Sequence, residues 1–289
     1  MSTDLALPRG PKLVLGTAQF DATYGVLRDK TRILDTCLLL AVAEGHGIRT
    51  LDTAPAYADA QEKIGRCGWR GSVHTKIPGN VSAPDSLRDS LRQLGLSSVE
   101  VAYFHDSKVL QEEKSFFNHI HSRVVPTLAE HLGVSIYTPQ EFDTALRNPF
   151  ISAIQAPINI VDHRISDNQL NEARRTGKEV YARSIFLQGT LLQSSDSLPA
   201  FLSKLVPVIQ RLDRVGVDTG VTRLEILTQA ALGRPGISGV VVGAESPDQL
   251  EGITSAFAAP RLPPELETLA HSLRVDDVDT IDPRRWPRK

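Results

Sequence analysis

The sequence predicts a closed (β/α)8 barrel, an α/β TIM-barrel fold, as a single domain over residues 1–289. Three observations predict it. Short runs rich in β-branched residues alternate with segments of helical period, the pattern of βα units around a parallel sheet. Eight such runs fit within the 289 residues, as a barrel of eight units requires. The turn after the first run, GTAQFDATYG, lacks the GxGxxG spacing that a doubly wound dinucleotide-binding sheet needs there.

In chain order, the first strand is read at LVLGTAQ (Leu13 to Gln19), followed by the helical stretch TRILDTCLLLAVAEG. TLDTA (Thr50 to Ala54) and VHTKI (Val73 to Ile77) are the second and third strands. SAPDSLRDSLRQLG then has a Ser cap and a closing Gly, both helix-boundary signals. VEVAYFH (Val99 to His105) is the fourth strand, and FFNHIHSRVV beyond it is helical. LGVSIY (Leu132 to Tyr137) precedes the helix TPQEFDTALRN, and ISAIQAPIN (Ile151 to Asn159) precedes SDNQLNEARRTG. EVYARSI (Glu179 to Ile185) is the seventh strand, after which DSLPAFLSKLVP decorates the barrel and TRLEILTQAALG completes the unit. GVVVGA (Gly239 to Ala244) and SPDQLEGITSAF form the eighth. The end, DDVDTIDPRRWPRK, is polar and interrupted by proline, so residues 275–289 read as a tail rather than a helix.

Composition narrows the function classes. With 41% hydrophobic and 23% charged residues the chain resembles ordinary soluble globular proteins. The formal net charge is -2 and the basic residues are dispersed, so there is no electrostatic footprint for nucleic acid. The longest apolar run, CLLLAVA, is far short of the ~20 residues of a membrane span. Cys37 lies in a leucine-rich helical run and Cys67 in a loop, without metal-ligand spacing. That usage suits a reducing, cytoplasmic location and predicts no disulfide. HIH at His119 to His121 lacks a third ligand, and no metal is expected.

Side chains alternate across a strand, which sorts the polar residues at the strand ends. If Leu51 and Thr53 face the helices, Asp52 faces the interior; the same parity groups His74 with Lys76 and Val101 with Tyr103 and His105. Asp52, Lys76 and His105 then converge at one rim, and Tyr57 reaches in from the loop after the second strand. His74 lies deeper than Lys76 and is read as packing. A carboxylate beside a buried lysine keeps the ammonium charged, and a cation beside a phenol stabilises the phenolate. Tyr57 thereby becomes a usable general acid or base, with Asp52 supporting Lys76 and Lys76 tuning Tyr57. A neutral His105 donates a hydrogen bond to an oxygen whose charge changes during reaction.

These residues carry a resemblance. LDTAPAYADAQEKIG, TKI and YFHDS resemble the aspartate–tyrosine, lysine and histidine segments of the aldo-keto reductases, and all four members of that family's catalytic tetrad have counterparts: Asp52, Tyr57, Lys76 and His105. LGTAQF and VVGAESPDQLEG extend the resemblance over nearly the whole chain. It implies hydride transfer from NADPH or NADH to an aldehyde or ketone, or oxidation of the corresponding alcohol or sugar, by a monomer or weak oligomer. It further implies that Thr17 and Asp52 meet the nicotinamide end and that Gln155 binds the carboxamide. Ser135 matches the family's Ser-Asn pair, with Ile136 in place of the asparagine. Arg183 stands where many members stack a tyrosine on the nicotinamide, and Phe186 and Leu187 line the pocket. Many members place basic residues against the 2′-phosphate of NADP; here Gly243, Ala244, Glu245, Ser246 and Gln249 occupy that stretch. Glu245 repels such a phosphate, while Ser246 and the helix start at Pro247 supply donors. Either NADPH binds less selectively or NADH is accepted.

Two other classes fit the same residues. A Schiff-base lyase would use Lys76 as a neutral amine, and a nicotinamide-binding regulatory protein would use the barrel without turnover. Trp286 is read either as a cap on the substrate pocket or as a surface residue.

Overall fold

A computed structural model of the protein describes residues 10–20, 34–79 and 81–287. Eight parallel strands close on one another in sequence order: β1 (Lys12–Gly16), β2 (Thr50–Asp52), β3 (Ser72–Ile77), β4 (Val99–Phe104), β5 (Ala129–Ser135), β6 (Ala153–Pro157), β7 (Glu179–Arg183) and β8 (Ile237–Gly243). The predicted barrel is therefore observed, each strand within a few residues of its sequence-derived range. Closure is made by β8 on β1, with Gly243 opposite Gly16.

Helices follow the strands: α1 (Thr36–Gly45), α2 (Ala60–Arg66), α3 (Ala83–Leu94), α4 (Lys114–Val124), α5 (Pro139–Arg147), α6 (Asp167–Arg175), α7 (Val206–Thr219), α8 (Arg223–Gly233), α9 (Pro247–Ala258), α10 (Pro264–Ser272) and α11 (Val278–Ile281). The start of the predicted TRILDTCLLLAVAEG helix, residues 31–33, lies outside the described residues. The boundary signals act as chemistry predicts. Thr138 with Glu141, Ser166 with Gln169 and Thr222 with Glu225 form reciprocal capping boxes that satisfy the first orphan N–H groups of α5, α6 and α8. In α3, Leu87, Leu91 and Leu94 form one buried stripe, and Gly95 ends the helix at φ 67°, a left-handed position that favours glycine.

The barrel interior is a packed layer. Val14, Val101, Tyr103, Ala153 and Tyr181 form a cluster separate from the larger core between strands and helices. Glycines make room for its two rings: a Cβ on Gly133 would lie 2.5 Å from the Tyr103 ring, and one on Gly239 3.0 Å from the Tyr181 ring. His74 packs edge-on against both rings, at 5.7 and 4.9 Å between centroids, in the deep position its parity predicts.

Two expectations are overturned. Cys37 on α1 and Cys67 at the end of α2 form a disulfide, so unpaired cysteines no longer argue for a reducing compartment. Spacing along the chain carries no sign that α1 and α2 pack side by side. The bond closes a segment of 30 residues that contains β2 and Tyr57, worth about 3–4 kcal/mol on a chain-entropy account. Denaturant unfolding should lose that amount in Cys37→Ser or with reductant present; equal stability in all three would refute it.

The second correction concerns the tail. Residues 278–281 are helical, 283–285 form a 3-10 turn, and Trp286 is buried, its Nε1 donating to the Thr280 carbonyl at 3.1 Å. Asp282 anchors the segment: it is 1% exposed, pairs bidentately with Arg284 at 2.9 and 2.6 Å, and lies 3.6 Å from Arg164. A polar composition concealed this because the buried charge of Asp282 is neutralised by Arg284 and Arg164 rather than by water. No helix among the described residues is long and apolar enough to cross a membrane.

Candidate active site

At the carboxyl end of β2 the inward Asp52 is 3% exposed, and Lys76 on β3 is 2% exposed. Lys76 Nζ donates to Asp52 Oδ1 at 2.5 Å and to the Thr53 carbonyl at 3.1 Å. The other carboxylate oxygen, Oδ2, accepts from Gln155 Nε2 at 2.7 Å, so both oxygens of the buried acid are satisfied. Burial, the largest influence on Lys76, disfavours the ammonium. The charges of Asp52 and Tyr57, with hydrogen bonds to both, outweigh it and lift the lysine above its ordinary 10.5. Lys76 is thus held cationic, which works against a Schiff-base lyase, since that chemistry needs the free amine.

Tyr57 sits in the turn after β2, half-buried, with Lys76 Nζ 5.2 Å from its ring centroid. The turn is tied down by Ala60 N–H donating to the Tyr57 carbonyl at 3.0 Å, and α2 beneath it by Gln61 Nε2 donating to Thr75 Oγ1 at 2.8 Å. Ala58, directly after Tyr57, has φ 44°, a left-handed conformation that a non-glycine residue adopts only under constraint. Tyr103, opposite Lys76 on the neighbouring strand, and Tyr181, against His74, are both fully enclosed, and burial raises their pKa values far from neutrality. Of these three phenols, only Tyr57 opens to the cavity described next. His105, just past β4, is half-buried; burial first and the Lys76 charge next lower its pKa below 6.5, leaving a neutral imidazole at pH 7.

Asp52, Tyr57, Lys76 and His105 line one cavity of about 570 Å³ at the carboxyl end of the barrel. Of the other predicted residues, Ser135, Gln155, Arg183, Phe186, Gly243, Glu245 and Gln249 share its wall. Three are not brought to it. Thr17 is fully buried, its N–H and Oγ1 both donating to the Asp52 carbonyl at 2.9 and 3.1 Å. Leu187 points into the core at 0% exposure, and Ser246 is the N-cap of α9, its Oγ accepting from Gln249 N–H at 3.2 Å. Trp286 is also absent from the wall, being neither pocket cap nor surface residue.

Among the wall residues that had not been singled out are Gln19, Tyr137, Gln188 and Asp248. Gln19 and Asp248 stood inside the quoted stretches LGTAQF and SPDQLEG, and Tyr137 two residues after Ser135, where parity alone could have marked it. Gln188 had no signal. It belongs to a loop in which Ser184, Leu187 and Gln188 all have positive φ, 59°, 48° and 54°. Gln19 lies against Gly243, where a Cβ would come within 2.0 Å of its Oε1; that oxygen is buried and has no hydrogen-bond partner among the described residues.

A profile of the aldo/keto reductase family matches residues 12–269. Among solved structures, the fold is similar to the holo form of the aldo-keto reductase AKR11C1 from Bacillus halodurans, at TM-score 0.73 and 20% identity over 95% of each chain. It is also similar to the glycerol dehydrogenase AKR11B4 from Gluconobacter oxydans, at TM-score 0.69 and 18% identity, covering 96% of this chain and 93% of that one. No curated protein matches the chain. The profile spans most of the sequence, so the chain belongs to the aldo/keto reductase family, oxidoreductases whose membership implies NAD(P)H-dependent reduction of a small carbonyl compound.

Proposed function

We propose that the cavity is the active site of a carbonyl reductase in which Tyr57 protonates the carbonyl oxygen. The observation that carries this reading is the chain of contacts from Gln155 through Asp52 and Lys76 to Tyr57. Gln155 orients the carboxylate, the carboxylate fixes the ammonium, and the ammonium stabilises the phenolate left when the Tyr57 proton moves to the substrate. His105, neutral, donates a hydrogen bond to the same oxygen and orients it. Solvent returns a proton to Tyr57 after the alcohol leaves.

The residues present fit a nicotinamide dinucleotide, NADPH or NADH. The Gln19 amide packed on Gly243 offers a polar flank between β1 and β8, and Ser135 and Gln155 offer amide-binding groups in the same cavity as Lys76. When bound, the cofactor supplies the hydride. Glu245, Asp248 and Gln249 bound the cavity at the start of α9, the end assigned to the adenosine portion.

Fluorescence titration with NADPH and NADH, followed by a panel of aldehydes and ketones with whichever binds, tests the reading. Nicotinamide binding without turnover of any carbonyl would turn it toward a sensor. The His105 field adds a pH expectation. Activity is lost as pH falls through the His105 pKa, and since that value is depressed the acid limb of kcat/KM lies below 6.5. A limb at or above 6.5 that vanishes in His105→Gln would contradict a neutral imidazole.

A further inference from the structure

Resting on the reductase reading just given, we propose that the carbonyl substrate carries a carboxylate and that Arg183 binds it as a specificity-determining residue. Arg183 is the last residue of β7 and lines the same cavity as Tyr57, Lys76 and His105. Its guanidinium is held in place twice. Nη2 donates to the Ile136 carbonyl at 3.2 Å, and Cζ lies 4.2 Å from the centroid of the Tyr137 ring. The same ring also carries Arg284, with Cζ 3.3 Å from the centroid.

Lys76 on this wall, Arg284 on the Tyr137 ring and Arg164 beside Asp282 differ from Arg183 in one respect. Arg284 is neutralised by Asp282, Arg164 by Asp162, and Lys76 by Asp52. Arg183 has no carboxylate partner among the described residues, and its remaining N–H groups have no acceptor there. Its charge reaches the reacting end, because it contributes to the lowered proton affinity of His105. A pre-oriented guanidinium, half-buried and uncompensated, is the arrangement that recognises a planar oxyanion through two parallel N–H donors. One uncompensated positive charge matches a carboxylate rather than a phosphate monoester, which carries roughly -1.5 to -2 near neutrality.

The test compares matched acids and methyl esters: 4-carboxybenzaldehyde with methyl 4-formylbenzoate, and 4-oxobutanoate with its methyl ester. Each is assayed with the wild-type enzyme, Arg183→Gln and Arg183→Lys, and the NADPH and NADH dissociation constants of all three are measured by fluorescence. The wild type should favour at least one acid over its ester by about tenfold or more in kcat/KM, expressed mainly in KM. Arg183→Gln should lose that preference and Arg183→Lys should keep part of it. Equal use of acid and ester by the wild type overturns the inference while leaving the reductase reading intact. So does a preference that survives in Arg183→Gln, or one that persists while nicotinamide affinity collapses, which would assign Arg183 to the cofactor. If nicotinamide binds and neither aldehyde nor any other carbonyl is reduced, the reductase reading fails and this inference falls with it.

Discussion

Replacing Tyr57 by Phe should lower kcat by about 10²–10⁴-fold, the range over which a positioned general acid contributes. The change removes one oxygen and leaves the ring, so the turn ending at Ala58 and the packing beneath it keep their shape. Lys76 loses one of its two stabilising neighbours but retains Asp52, and therefore its charge. Nicotinamide affinity, which depends on other parts of the wall, should change by less than about twofold. Stopped-flow or steady-state turnover with a good carbonyl substrate, beside a cofactor titration, separates the two quantities. Undiminished turnover would remove Tyr57 from the mechanism, and because Tyr103 and Tyr181 are sealed inside the barrel, neither could take its place without rearrangement.

Asp52→Asn is expected to be costly in stability as well as turnover. It leaves the nearly inaccessible Lys76 ammonium beside a neutral amide, and breaking a buried pair by removing one partner costs about 3–5 kcal/mol. The sign with pH follows from the lysine. Its folded pKa is raised, so the stability it contributes is fully present below the ordinary value of 10.5 and is lost as pH rises through the raised one. In the variant, burial acts on Lys76 without the carboxylate and pulls its pKa down, so the penalty should be larger at pH 7 than at pH 9. Adding Lys76→Met to Asp52→Asn removes the orphaned charge and should recover much of the loss, a coupling that a double-mutant cycle reads directly. Urea unfolding of the four proteins checks it; an Asp52→Asn penalty under about 1 kcal/mol would mean that the pair is far better solvated than its geometry indicates.

Part of this site was legible in the chain. Asp52, Lys76 and His105 were assigned inward by parity alone, because side chains on a strand alternate with a period of two wherever the strand pairs. The capping boxes at Thr138, Ser166 and Thr222 were equally local, each spanning one helical turn. Contacts that span the barrel were not. The Gln155–Asp52 hydrogen bond joins residues 103 positions apart, and nothing in either segment marks the other.

What the sequence by itself determined is the succession of βα units, the inward parity of the strand-end residues and the family to which they belong. The first two follow from backbone geometry repeated every two or 3.6 residues, and the family from the resemblance carried by the segments around Asp52, Tyr57, Lys76 and His105. Only the tertiary structure decided that Cys37 meets Cys67, that the tail folds back through Asp282 and Trp286, and that Arg183 stacks on Tyr137 without a carboxylate. Those outcomes depend on which surfaces meet when the sheet closes on itself. Closure brings distant segments together by packing and charge neutralisation, and no local pattern in the chain encodes which side chains then meet.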